Sequence, residues 1–222
     1  MSPEMGRMNN RNLQLWALDV ETSGLDPKEC GVLSVALRNY DTGEYIYREV
    51  EFEKVETSVE GILGIRSEYY PHILKWDEES ANIHKLTPWQ GKGNKASEVD
   101  EEISEWIRER GTQYVVTRKP MGLNVGTFDL PFLRERLPLV AESLSYQCVD
   151  LNALYIAIAY TRNTSLTTVK RGITEMAIKG AKKLHPDLEL HHSLFDATLS
   201  CFCWAESLGC PVPWMKTEGE TE

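Results

Sequence analysis

The chain has 222 residues, 41% of them hydrophobic and 26% charged, which suits one folded domain with a sizeable core and excludes disordered and collagen-like classes. A formal net charge of −10 is the wrong sign for a broad polynucleotide-binding surface, because phosphate contacts usually show as a basic excess. No apolar run approaches the roughly 20 residues that span a bilayer and the first residues are polar, so neither a membrane segment nor a signal peptide is read, and a cytoplasmic location is expected.

Residues 1–11 are expected to be flexible, 12–210 to form a single domain and 211–222 a loose tail. Apolar stretches at Leu13–Val20, Val32–Tyr40 and Tyr45–Phe52 read as strands. Asp41-Thr42-Gly43-Glu44 turns between the last two, giving an antiparallel meander. In the first strand Leu13, Leu15 and Ala17 share one face and Trp16, Leu18 and Val20 the other, so it is expected to be central and covered on both sides. Lys54–Asn94 offers only short helical pieces, at Val59–Arg66 and Trp76–His84. Ser97 and Asp100 have capping-box spacing before Val99, Ile103, Trp106 and Ile107, which predicts a helix that stops at Gly111. A fourth strand is expected at Gln113–Thr117 and helices at Leu130–Arg136, at Leu151–Tyr160 with Asp150 as cap, at Thr167–Lys182, and at Leu194–Leu208 before Gly209 and Pro211. The sum is an α/β fold with a mixed sheet flanked by helices. Five cysteines without Cys-x-x-Cys spacing read as reduced, mostly buried thiols and indicate neither a disulfide framework nor a zinc knuckle.

Three segments carry chemistry. At the end of the first strand Asp19 and Glu21 are two apart and share a face. Like charges beside an apolar layer need a cation, and an all-oxygen ligand set favours Mg²⁺ or Mn²⁺. Alone, such a pair reads more readily as two acids leaving a strand for solvent. Asp129, between Phe128 and Leu130, reads alone as an acid at a helix N-terminus, with Phe128 and Phe132 in the core. Ser193 and Asp196 again have capping-box spacing. His191 and Asp196 lie five apart, which is not one helical face, so they converge only if His191 precedes the helix.

In order and content the segments Asp19-Val20-Glu21-Thr22-Ser23-Gly24-Leu25, Asn124-Val125-Gly126-Thr127-Phe128-Asp129-Leu130-Pro131-Phe132-Leu133 and His191 through Asp196-Ala197 resemble the three exonuclease motifs of the DEDDh group, which includes polymerase proofreading exonucleases and related ribonucleases. The resemblance covers about Leu13 to Leu208 and implies a ribonuclease-H-like fold, three antiparallel strands plus parallel ones. Fainter echoes are Ala81-Asn82-Ile83-His84-Lys85-Leu86-Thr87 and the strand-end acid of Val149-Asp150. The pattern departs from the proofreading type at Asn124, one residue further back than usual, at Leu123, which replaces a histidine, and at Lys85, where glycine is common. The second motif is nearer to its form in family B polymerases, whose exonuclease domains lack the His191 equivalent.

The resemblance implies a 3′→5′ exonuclease that acts on single-stranded ends, of DNA first and RNA as the alternative, and releases nucleoside 5′-monophosphates. Asp19, Glu21, Asp129 and Asp196 would hold two divalent ions, Mg²⁺ or Mn²⁺. His191, whose spacing selects it over His192, would be the general base, since imidazole ordinarily titrates near pH 6.5. Thr22, Leu25, Asn124 and Phe128 would meet the terminal nucleotide, Leu25 as a wedge and Phe128 as a stacking face. A polymerase is the implied partner, and a catalytically silent polymerase-binding copy of the fold is the competing class. A glycosidase built on a carboxylate pair explains neither His191 nor the other two acids. From Arg162 to His185 there are six basic residues and one acid, whereas Asp41 to Glu105 holds sixteen acids and seven bases. That division relieves the objection raised by the net charge, since a locally basic stretch precedes His191.

Overall fold

The computed structural model describes residues 13–22, 24–28, 30–51, 93–110 and 117–215. Strand β1 (Leu13–Thr22) lies at the centre of a five-stranded sheet, as its two apolar faces require. On one side it pairs antiparallel with β2 (Val32–Asn39), which pairs antiparallel with β3 (Tyr45–Glu49). On the other it runs parallel to β4 (Thr117–Gly122), which runs parallel to the two-residue β5 (Val149–Asp150). The order is β3-β2-β1-β4-β5.

Two helical layers cover the sheet. Trp16, Leu18 and Val20 pack with Val99, Ile103 and Ile107 of α1 (Ala96–Glu109), Leu130 and Phe132 of α2 (Asp129–Arg136) and Val140 of α3 (Pro138–Ser143). Ala17 and Ala36 pack with Leu151 and Tyr155 of α4 (Leu151–Thr161), Ile173 and Ala177 of α5 (Leu166–Leu184) and most of α6 (Ser193–Leu208). Each fully buried large side chain contributes about 2–3 kcal/mol, so the two-faced pattern of β1 alone dictates this sandwich.

The helix ends follow local chemistry. Asp150 Oδ1 accepts the Asn152 N–H at the start of α4, as expected, and Gly209 ends α6 in the left-handed region at φ 65°. The capping box expected at Ser97 does not form. The helix starts two residues earlier than a Ser97 cap requires, at Ala96, which places Ser97 inside the first turn, and Asp100 instead accepts the N–H groups of Leu139 (3.0 Å) and Val140 (2.8 Å), capping α3. Ser193 is likewise the first helical residue and not the cap, a role taken by His192.

Strand β4 runs from Thr117 to Gly122, beyond the expected end at Thr117, while residues 113–116 of the expected strand lie outside the described residues. Strand β5 pairs only with Met121 and Gly122, so Pro120 sits where β4 has one neighbour and a missing N–H is tolerated. Strand β3 ends at Glu49; beyond it the Val50 N–H donates to the Leu33 carbonyl and Val50 and Glu51 pair with Asn94, while Phe52, the expected end, lies outside the described residues. Residues 211–215, expected to open a loose tail, pack on the body: Val212 is buried and the Trp214 ring meets Phe202 edge-on at 5.9 Å. The helical pieces at Val59–Arg66 and Trp76–His84, the echo at 81–87 and the stop at Gly111 lie outside the described residues.

Gly122 closes β4 against the functional end of β1, where an added Cβ would stand 2.8 Å from the Leu18 carbonyl oxygen. Backbone cannot yield as a flexible side chain can. Gly122→Ala is expected to destabilise by about 1–3 kcal/mol, read as a Tm several degrees lower in a thermal melt, and an unchanged Tm would contradict this tight approach.

Candidate active site

Pairing of β1 with β4 ends at Ala17 and Met121, so the last residues of β1 have no strand on that side. Asp129 takes the place of one: its Oδ1 accepts the Val20 N–H at 3.0 Å. A tight turn delivers it there. Asn124 adopts a left-handed conformation (φ 58°) that asparagine tolerates, and its carbonyl accepts the N–H groups of Thr127 and Phe128 just before α2. Asp129 is 3% exposed.

The opposite helical layer supplies Asp196, in the first turn of α6. His191 precedes that helix at φ 67°, and its N–H donates to Asp196 Oδ2 at 2.9 Å. The convergence allowed by placing His191 before the helix is therefore realised, with His192 as the cap whose Nδ1 accepts the Leu194 N–H. Ser193 Oγ meets Ser34 Oγ at 2.9 Å, both residues fully buried. Ser34 is the cross-strand partner of Glu21, so this hydroxyl pair fixes the start of α6 beside Glu21. Ligand atoms of Glu21, His191 and Asp196 all lie within 4.8 Å of one another. Asp19 and Glu21, on one face of β1, complete a group of four carboxylates and one imidazole drawn from β1, α2, α6 and the loop before α6.

Burial and crowding set the charge state. The Asp19 carboxyl is held well above the usual carboxylate range by burial first, then by Asp129, Asp196 and Glu21. Asp129 is pushed up to about 8, mainly by burial and further by Glu21 and Asp150, against the pull of the Val20 and Asp129 N–H groups. Asp196 is pushed up to about 7 by burial and by Glu21, partly offset by the His191 N–H. Asp196 Oδ1 is buried and has no hydrogen-bond partner among the described residues. Crowded carboxylates and a buried oxygen without a donor are what a hard divalent cation satisfies, so the residues present fit such an ion.

The residues expected at the terminal nucleotide are distributed unevenly. Leu25 is 43% exposed, free to act as a wedge. The Thr22 hydroxyl is buried and donates to the Gly24 carbonyl at 2.6 Å, which shapes the turn after β1. Asn124 is exposed, and its Oδ1 accepts from Asn152 Nδ2 at 2.6 Å. Phe128 is half-buried against Phe132, at 5.1 Å.

No motif marks Arg136. Its guanidinium donates to the carbonyls of Pro27, Lys28 and Cys30, which ties the loop bearing Leu25 to the last turn of α2. Only its place among the basic residues ending a helix hinted at a use.

Strand order, the antiparallel β2 and helices on both faces define the class as an α/β fold with a mixed five-stranded sheet, a fold shared with solved 3′ exonucleases. The nuclease domain of 3′hExo, a DEDDh family member bound to rAMP, matches over 92% of this chain and 96% of its own at 16% identity, with a TM-score of 0.53. Exonuclease I from Methylocaldum szegediense matches over 87% of this chain at 16% identity (TM-score 0.54), and E. coli Exonuclease I in complex with a dA16 oligonucleotide over 88% at 12% identity (TM-score 0.51). This chain spans 40% of the length of those two proteins. At such identities the likeness is one of fold, and it agrees with the resemblance read from the three motifs. No family model and no curated protein matches the sequence.

Proposed function

We propose that the chain is a DEDDh-type 3′→5′ exonuclease that hydrolyses the terminal phosphodiester of a single strand and releases nucleoside 5′-monophosphates. The observation that carries this reading is the meeting of three sequence-distant segments at one end of β1, in a fold shared with 3′ exonucleases. Asp19, Glu21, Asp129 and Asp196 would hold two divalent ions, Mg²⁺ or Mn²⁺, which when bound supply charge neutralisation at the scissile phosphate. His191, exposed on its loop, takes the proton of the attacking water as that oxygen bonds to phosphorus and the bond to the 3′-oxygen breaks. Leu25 wedges against the last base. The exposed bases Arg171, Lys179 and Lys183 lie along α5, on the approach to the His191 loop, and would steer the phosphate chain.

DNA is the substrate first expected. The neighbour that matches this chain end to end holds rAMP, which favours RNA as the second reading. Five free thiols suit a reducing compartment, the cytoplasm, and among the described residues no helix is long and apolar enough to cross a membrane. The test is a time course on 3′- and 5′-labelled DNA and RNA, single- and double-stranded, with Mg²⁺, Mn²⁺ or chelator. Mononucleotides should leave the 3′ end only when a divalent ion is present, and a substrate intact under every condition overturns the reading.

A further inference from the structure

Eight residues, 185–192, link α5 to α6 and carry His191. Near their start stands an unusual cation. Arg38 of β2 is 4% exposed, and among the described residues no carboxylate pairs with it. Buried charges ordinarily meet an opposite charge. Here the guanidinium lies between the rings of Tyr45 (4.7 Å) and Trp214 (4.9 Å), its Nε has no partner, and its Nη2 stands 3.0 Å from His185 Nε2.

A guanidinium only donates hydrogen bonds. His185 Nε2 must therefore accept, which fixes a neutral ring with its hydrogen on Nδ1. Tyr45 of β3 meets the same ring edge-on at 6.0 Å and 88°. Tyr47, two residues on and so on the same face of β3, stacks on His192 at 4.8 Å and 30°. Alternate tyrosines of the edge strand thus hold the two ends of the link.

We propose that Arg38, Tyr45 and Tyr47 form a clasp on the link 185–192, and that through His185 and His192 these positioning residues set His191 against Asp196 and Glu21. The proposal rests on reading His191 as the general base. Among the described residues His185 is also held by backbone bonds to Ala181 and Leu188, and the Pro186 carbonyl accepts from the exposed Lys182. The Arg38–His185 bond is charge-assisted and partly buried, and its charge makes it about twice as strong as a neutral one. The groups facing His185 are Arg38 of β2, Tyr45 of β3 and His192 at the head of α6. Burial first, then Arg38 and His192, hold the His185 pKa below its ordinary value. Protonation would place a hydrogen on Nε2 against the Arg38 donor, so the clasp closes only on neutral His185.

Two measurements test the clasp. In a long-range ¹H–¹⁵N spectrum of the full chain without substrate, His185 should show an unprotonated Nε2 at neutral pH, and Arg38→Met should return the ring to the Nε2–H form and raise its pKa. In the nuclease assay His185→Phe should lower kcat on the order of 10- to 100-fold with KM nearly unchanged, and His185→Gln, which keeps an acceptor, should recover most of it. A protonated Nε2 in the wild type, or an unchanged kcat in His185→Phe, overturns the proposal. Because the spectrum needs no substrate, it separates this failure from that of the nuclease reading, which shows as a wild type without activity. Should Arg38→Met not fold, the wild-type spectrum and the His185 pair still decide.

Discussion

Asp129→Asn is expected to raise the melting temperature of the metal-free protein at pH 8 while it abolishes nuclease activity. The wild-type carboxyl is 3% exposed and pushed up to about 8, with burial as the main cause. A folded-state pKa above the unfolded value of about 4 means that the folded chain binds more protons than the unfolded one. This contribution to stability is therefore fully present below about pH 4 and is lost as pH rises through the folded pKa. Asp196, pushed up to about 7, and Asp19, also raised, act with the same sign. Metal-free wild type should lose stability between about pH 4 and 8, on the order of a few kcal/mol. Asn keeps an oxygen that can accept the Val20 N–H but carries no charge, so the pH slope should flatten. Divalent ions act in the opposite direction, since an ion bound only by the folded state stabilises it by mass action. The wild-type gain in Tm from Mn²⁺ should be larger at pH 8 than at pH 5.5, and Asp129→Asn should lose most of it. Loss of one carboxylate should cost several kcal/mol at the transition state, on the order of 10³-fold in rate. Thermal melts from pH 5 to 8, with chelator or Mn²⁺, check the first part. A wild type without a pH slope contradicts the crowded-carboxylate account.

What could be read from the sequence was what depends on period and order. The two apolar faces of Leu13–Val20 made β1 central, and the period of two put Asp19 and Glu21 together. Gly209 and Asp150 marked helix ends because backbone conformation and a short carboxylate act locally. The errors share one cause, that sequence spacing does not reveal which partner wins. Asp100 had two helices within reach and caps the later one. Ser193 is drawn to Ser34, 159 residues earlier in the chain, so the cap falls to His192. That Asp19, Glu21, Asp129 and Asp196 belong together was legible through their motifs. Their protonation was not, since it depends on burial that only the packing of α2 and α6 on β1 creates.

His191→Asn is expected to remove the chemical step and leave everything else in place. The choice of residue matters because position 191 has φ 67°, where asparagine is tolerated and alanine is strained. Among the described residues the bond from position 191 to Asp196 comes from the backbone N–H, which any replacement but proline retains. The imidazole itself is exposed. Fold and Tm should therefore be unchanged, KM nearly so, and kcat lower by about 10²- to 10⁴-fold, the usual contribution of a general base. His191→Asn should also keep most of the Mn²⁺-dependent gain in Tm that Asp129→Asn loses, because the four carboxylates remain. The two variants thus separate proton transfer from ion binding at one site. If His191→Asn keeps activity within tenfold of the wild type, the proton goes elsewhere and the role assigned to His191 fails, even if the carboxylates hold their ions as proposed.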